Sequence, residues 1–182
     1  MEAGLLALSV RLHEDHDPAR RAQIALLAGR LGYAAVVVPP GLSPEENGRL
    51  TAAAAPAALL TDGPQPGTAI VRSADPDAVR AARASAGKDA RVVVDVAVSI
   101  GRTRSEAAAR AARDARFAGA AHPQVAGIFG TFEQAQALVL ELARAGADEL
   151  RVTLADEIDV ADLLAQTLAL VVGPTRALLD RG

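Results

Sequence analysis

The run Val92-Val93-Val94-Asp95-Val96-Ala97-Val98-Ser99-Ile100 narrows the folds open to this chain more than any other stretch. It is too short for a transmembrane helix and too rich in valine for a surface helix, so it reads as a strand buried on both faces. A helix comes next, with Thr103 or Ser105 as N-cap, Glu106 at the positive end of the dipole, and an alanine and arginine run to Phe117. After a break at His122-Pro123, a second helix opens at Thr131, with Glu133 and Gln134 two and three residues on in a capping-box pattern, and stops at Gly146. Glu149-Leu150-Arg151-Val152-Thr153-Leu154 then reads as another strand. Strand, helix, helix, strand with short turns is a βαβ unit, whose strands run parallel with helices packed outside.

The same grammar runs through the rest of the chain. Leu5 to Leu12 reads as a first strand, and Asp17-Pro18 starts a helix that runs to Gly32. Ile24, Leu27, Ala28 and Leu31 make its apolar stripe, leaving Arg20, Arg21 and Arg30 for water. Ala34 to Val38 is strand two, Pro39 to Asn47 a loop, and Leu50 to Leu60 an alanine-rich helix bent at Pro56. Thr68-Ala69-Ile70-Val71 reads as strand three, Asp75-Pro76 starts a helix to Ala86, and Ala161 to Val172 forms a terminal helix closed by Gly173-Pro174.

Composition excludes several classes. A formal charge of −3, with arginines interleaved among acids, leaves no basic footprint for nucleic acid, and 2% aromatic residues leave little to stack on bases. With no cysteine there is no disulfide, thiolate metal site or cysteine nucleophile. No charged leader precedes an apolar core, and no stretch reaches the roughly 18 apolar residues of a membrane span, so a soluble, cytoplasmic protein is expected. A hydrophobic share of 51% built from alanine, valine and leucine predicts one core of many small side chains.

Three passages carry a family resemblance: Val96-Ala97-Val98 through Thr103-Arg104-Ser105-Glu106-Ala107, then Gly130-Thr131-Phe132-Glu133-Gln134, then Ala145-Gly146-Ala147-Asp148-Glu149-Leu150. In order and spacing this stretch resembles the C-terminal part of the luciferase-like monooxygenases, (β/α)8-barrel oxidoreductases that use FMN or the deazaflavin F420. Where that family usually writes Gly-Thr-Pro-Glu, this chain has Gly-Thr-Phe-Glu. The passage through Leu31-Gly32-Tyr33 resembles the family's opening, and Thr68 to Val71 its Gly-Thr-x-x-Val strand.

The resemblance implies an α/β fold, an incomplete or reduced (β/α)8 TIM-barrel-like domain over residues 1–182, because 182 residues are few for a barrel that takes about 250. About five strands are legible where the family has eight. The strand at 92–99 corresponds to the family's seventh or, in another register, its fourth; the residues after it match those beyond the seventh better. A smaller closed barrel, an open sheet covered by its own helices, and closure by a second chain would each deal with the exposed edges. Family members are commonly dimers, so a homo-oligomer, or a hetero-oligomer with a longer family member, is expected.

For function, the resemblance implies a flavin- or F420-dependent oxidoreductase of reduced size acting on a small-molecule substrate. The alternatives are a non-catalytic subunit or scaffold that has lost its cofactor, and a binding module that kept only the cleft. His13 falls where family members line the cofactor cavity, although His13-Glu14-Asp15-His16-Asp17 also reads as a polar loop capping the next helix, with no metal site. Thr68 could face the cavity or simply pack in its strand. Gly130-Thr131 is the best backbone anion site, though Glu133 and Gln134 could satisfy its donors themselves; Ser105 and Arg102 are weaker candidates of the same type. Pro39-Pro40 stands where many F420-using members have Asp-His, which removes acid/base capacity from the rim. No catalytic residue is assigned.

Overall fold

The computed structural model describes residues 6–114, 117, 126–154, 162 and 164–171. Among the described residues there are seven strands: β1 (Ala7–Arg11), β2 (Ala35–Val38), β3 (Ala58–Thr61), β4 (Thr68–Val71), β5 (Arg91–Ile100), β6 (Gly127–Gly130) and β7 (Glu149–Leu154). Five helices intervene: α1 (Pro18–Leu31), α2 (Pro44–Ala54), α3 (Pro76–Ala86), α4 (Arg104–Ala111) and α5 (Phe132–Arg144). Residues 164–171 add a further helical segment. Every strand pairing is parallel, in the order β3-β2-β1-β7-β5-β4, and β6 pairs with the upper half of β5 on the side where β4 pairs with its lower half.

The buried valine run is β5 and runs parallel to β7 as expected, but residues 92–154 are strand, helix, strand, helix, strand rather than one βαβ unit. Two strands were illegible. Residues 50–60 are not one helix: Ser43 caps α2, Pro44 takes its first turn, and the helix ends at Ala54, where a cis Ala55–Pro56 bond leads into β3. The expected loop to Asn47 is therefore shorter. The strand expected third is the fourth, and the four-residue β6 comes after the break. α4 stops at Ala111 rather than Phe117, with Ala112 as its C-cap. Leu5, His122-Pro123, Ala161 and Gly173-Pro174 lie outside the described residues.

Strand alternation sorts the sheet into two faces. Leu8, Val10, Val36, Val94, Leu150 and Val152 join Ile24, Leu50, Val79, Val139 and Leu142 from the helices in one apolar core. The opposite face carries Ser9, Arg11, Val37, Val93, Asp95, Glu149 and Arg151, aligned by the register Ser9↔Arg151 and Asp95↔Arg151. One nitrogen shows how far the sheet curls. Arg11 Nη2 lies 3.1 Å from Asp62 Oδ1, just past β3, and also meets the Asp95 carboxylate on β5. Those strands stand four places apart, about 19 Å in a flat sheet. The polar face is therefore the inside of an arc. Its edge strands, β3 and β4, are unpaired on their outer sides among the described residues, so the barrel is not closed.

Connection handedness explains where α4 sits. The steps β1 to β2, β4 to β5 and β6 to β7 go one way round the arc with their helices outside, whereas β5 to β6 steps back. A right-handed crossover then requires α4 on the inner face. Accordingly, inward-facing Ser99 donates to the Ala107 carbonyl of α4 at 3.0 Å.

Helix packing corrects one detail. Arg21 does not face water; it pairs with Glu46 of α2 at 3.1 Å. α1 and α2 touch through Gly29, where a Cβ would lie 2.2 Å from the Ala54 carbonyl oxygen.

Candidate functional site: the concave face and its seam

Three charged side chains of the concave face have almost no solvent access: Arg151 at 0%, Glu149 at 3% and Asp95 at 4%. Burial of this kind requires partners. Glu149 receives the Ser9 hydroxyl, Arg91 at 3.0 Å, and Arg151 through Nε and Nη2, each at 3.4 Å. Asp95 is held by Arg11. Its carboxyl is nonetheless pushed above the usual aspartate range, because burial outweighs the pull of Arg11 and Arg151. Arg151 Nη1 and Arg11 Nε are buried with no hydrogen-bond partner among the described residues.

This polar lining was missed at the sequence level, though its signal was there. In Glu149-Leu150-Arg151-Val152-Thr153 polar and apolar residues alternate inside a strand that is buried on both sides.

The arc opens at a seam between β3 and β4. Residues 62–67 connect these two edges, and a cleft of about 410 Å³ lies there, lined by Pro40, Asp62, Gly63, Pro64, Gln65, Thr68, Ile70 and Arg72. Thr68 and Ile70 share the inner face with Val93, and Arg72 comes after them at the C-terminal end of β4. A second cleft of about 370 Å³, with Asp75, Arg104, Phe129, Gln134 and Leu138 in its wall, lies between the starts of α3, α4 and α5.

The four candidate residues do not converge. Thr68 opens β4 and lines the seam cleft. His13 lies beyond the end of β1 in the polar turn; its Nδ1 accepts the Asp15 N–H at 3.3 Å. The Asp15 carboxylate lies 3.1 Å from the same nitrogen. Gly130 ends β6 and Thr131 caps α5. The Thr131 N–H donates to Gln134 Oε1 at 3.1 Å, and the Gln134 N–H returns to Thr131 Oγ1 at 3.4 Å. Gln134 closes over Gly130 so tightly that a Cβ there would sit 2.5 Å from Oε1. The Glu133 carboxylate, held below its usual range by its own backbone N–H and by Thr131, adds negative charge at the same place.

The other helix starts are similar. Asp17, Ser43, Asp75 and Thr103 cap α1 to α4 with their own side chains, and each cap is an acid or has one in the first turn. Such ends repel a phosphate. Ser105 and Arg102 stand at the α4 start, where the Arg102 N–H donates to the Glu106 carboxylate at 2.9 Å. Among the described residues no cluster of three or more His, Asp or Glu side chains could hold a metal. No described helix is long and apolar enough to cross a membrane.

No family model matches the chain, and no curated protein matches it in sequence. Solved structures do. Apo-MsnO8 aligns with a TM-score of 0.61 at 15% identity, over 94% of this chain and 98% of that chain. The coenzyme F420-dependent tetrahydromethanopterin reductase from Methanopyrus kandleri aligns with a TM-score of 0.60 at 10% identity, over 92% of this chain and 99% of that chain. At these identities the likeness is one of fold: this chain is an α/β protein with a TIM-barrel-like parallel sheet, flanking helices and an open seam.

Proposed function

We propose that this chain is a reduced relative of the luciferase-like flavin- or F420-dependent oxidoreductases, with the seam cleft as its ligand site. The cleft carries the reading. It lies on the concave side beside unpaired edges, and it offers apolar walls in Ile70, Pro40 and Pro64 with polar groups in Thr68, Gln65 and Arg72. That mixture suits a planar heteroaromatic ring. The F420-dependent reductase among the structural neighbours supports the same class of cofactor. When bound, the ring would supply the redox chemistry, and the protein would bind and orient it.

FMN and F420 both carry a phosphate, and the self-capped, acidic helix starts do not fit one. Thr68, Gln65 and Arg72 would therefore hold the ring side, and the phosphate would add little. The test is a fluorescence titration with riboflavin, FMN and F420. Quenching of riboflavin and FMN with similar affinity is the expected result, and Thr68→Val should weaken both. If none of the three is quenched, the oxidoreductase reading fails.

The second reading is a non-catalytic subunit or scaffold without cofactor, favoured by the five self-capped helix starts. Both readings share an expectation of assembly, because β3 and β4 present unpaired main-chain groups. We propose a homo-oligomer, or a complex with a longer family member, in the cytoplasm. Sedimentation of a strictly monomeric species at micromolar concentration would remove the homo-oligomer.

A further inference from the structure

We infer that the seam cleft binds a small organic monoanion, its carboxylate against Arg72 and the Arg11 guanidinium behind Asp62, its short apolar body against Ile70 and Pro40. The inference rests on taking the seam cleft as the ligand site, as proposed above, and is independent of any cofactor.

Charge points to an anion. Four guanidinium groups, Arg11, Arg72, Arg91 and Arg151, face the three carboxylates Asp62, Asp95 and Glu149, which leaves one positive charge. Among the described residues Arg72 has no carboxylate within ion-pair distance, so it is the arginine of the cleft wall that is open to an incoming anion.

Asp62 at first argues against an anion, since it stands in the cleft wall. Its Oδ1 lies 3.1 Å from Arg11 Nη2, however, which it shares with Asp95, and its side chain is 29% exposed. It occupies Arg11 as an incoming carboxylate would. Asp62 therefore acts as an internal competitor, and ligand entry means exchanging one carboxylate for another on Arg11. One guanidinium without an ion pair, about 410 Å³ and apolar walls select a monoanion with a short hydrocarbon body over a phosphodianion or a cation.

The experiment uses the full chain and three probes of equal length: hexanoate, hexanamide and hexylamine, with binding read by calorimetry and saturation-transfer NMR. Hexanoate should bind at least about tenfold more tightly than either neutral or cationic analogue, the usual effect of a charged hydrogen-bond partner. Arg72→Gln, at an exposed position where folding is not at stake, should weaken hexanoate about tenfold. Asp62→Asn should tighten it, by removing the competitor. Ile70→Trp should block it by filling the cleft.

Equal binding of hexanoate and hexanamide overturns the inference, as does unchanged affinity in Arg72→Gln or Ile70→Trp, or weaker binding in Asp62→Asn. Flavin quenching without hexanoate binding overturns it and spares the oxidoreductase reading. Hexanoate binding without flavin or F420 binding does the reverse.

Discussion

Replacing Arg151 by methionine tests the buried charge network most directly. Its side chain has no solvent access, and its partner Glu149 is 3% exposed. The two bonds from Arg151 to Glu149, at 3.4 Å each, are at the long end of hydrogen-bonding range and individually weak. The cost of Arg151→Met should thus come less from lost bonds than from a buried carboxylate left with Ser9 and the half-exposed Arg91 alone. Breaking one partner of such a pair typically costs about 3–5 kcal/mol. That would be a large share of the stability of a domain of this size, commonly about 5–15 kcal/mol. Glu149→Gln should also destabilise, because it strands Arg151, whose Nη1 already lacks a partner.

The double variant separates the explanations. If stranded charge dominates, Glu149→Gln with Arg151→Met should be more stable than the sum of the single changes predicts, by about 1–3 kcal/mol of coupling. Urea denaturation monitored by far-ultraviolet circular dichroism gives all four free energies. Arg151→Met within about 0.5 kcal/mol of the parent, or strictly additive single changes, would refute the reasoning.

Three further outcomes are expected. Gly29→Ala should destabilise by about 1–3 kcal/mol despite alanine's helix propensity, since its Cβ would lie 2.2 Å from the Ala54 carbonyl; a denaturation midpoint at or above the parent's contradicts the α1–α2 approach. Asp95 holds its proton more tightly folded than unfolded, so its contribution to stability is whole below the ordinary aspartate range and is lost as pH climbs through the raised folded value. Stability of Asp95→Asn should therefore fall less than the parent's across that window, and parallel pH profiles would count against the shift. Tyr33→Phe removes the Oη donor to the Leu164 carbonyl at 2.9 Å and should cost about 1–3 kcal/mol, with faster proteolysis near residues 164–171. Burial pushes the Tyr33 hydroxyl above its usual range, so it stays a donor throughout physiological pH.

The parallel architecture was legible because its punctuation is local. Asp17-Pro18, Asp75-Pro76 and Thr131 through Gln134 fix helix starts by capping chemistry that needs no tertiary partner. β3 and β6 were hidden for the opposite reason. Each is four residues long, and Ala-Leu-Leu-Thr and Gly-Ile-Phe-Gly carry no period that separates strand from helix. The site was harder still. Thr68 was found from its strand, but Arg11, Asp95 and Arg151 meet through strand pairings distant in sequence, and Asp62 joins them only because the sheet curls. Their separations of 51 and 84 residues from Arg11 to Asp62 and Asp95 leave no mark in a linear reading. His13 stands beyond its strand end and Thr131 at its helix start as expected, yet their polar atoms are taken by near neighbours in sequence, a competition that distance along the chain does not rank.

The seam has a constructive consequence. β3 and β4 each end a run of main-chain donors and acceptors, and only residues 62–67 pass between them. A strand-and-helix cassette spliced into that hairpin-sized span would find a ready template on either side and would disturb none of the existing ladders. The chain can thus be enlarged toward a full ring from a single splice point, with the polar lumen already in place.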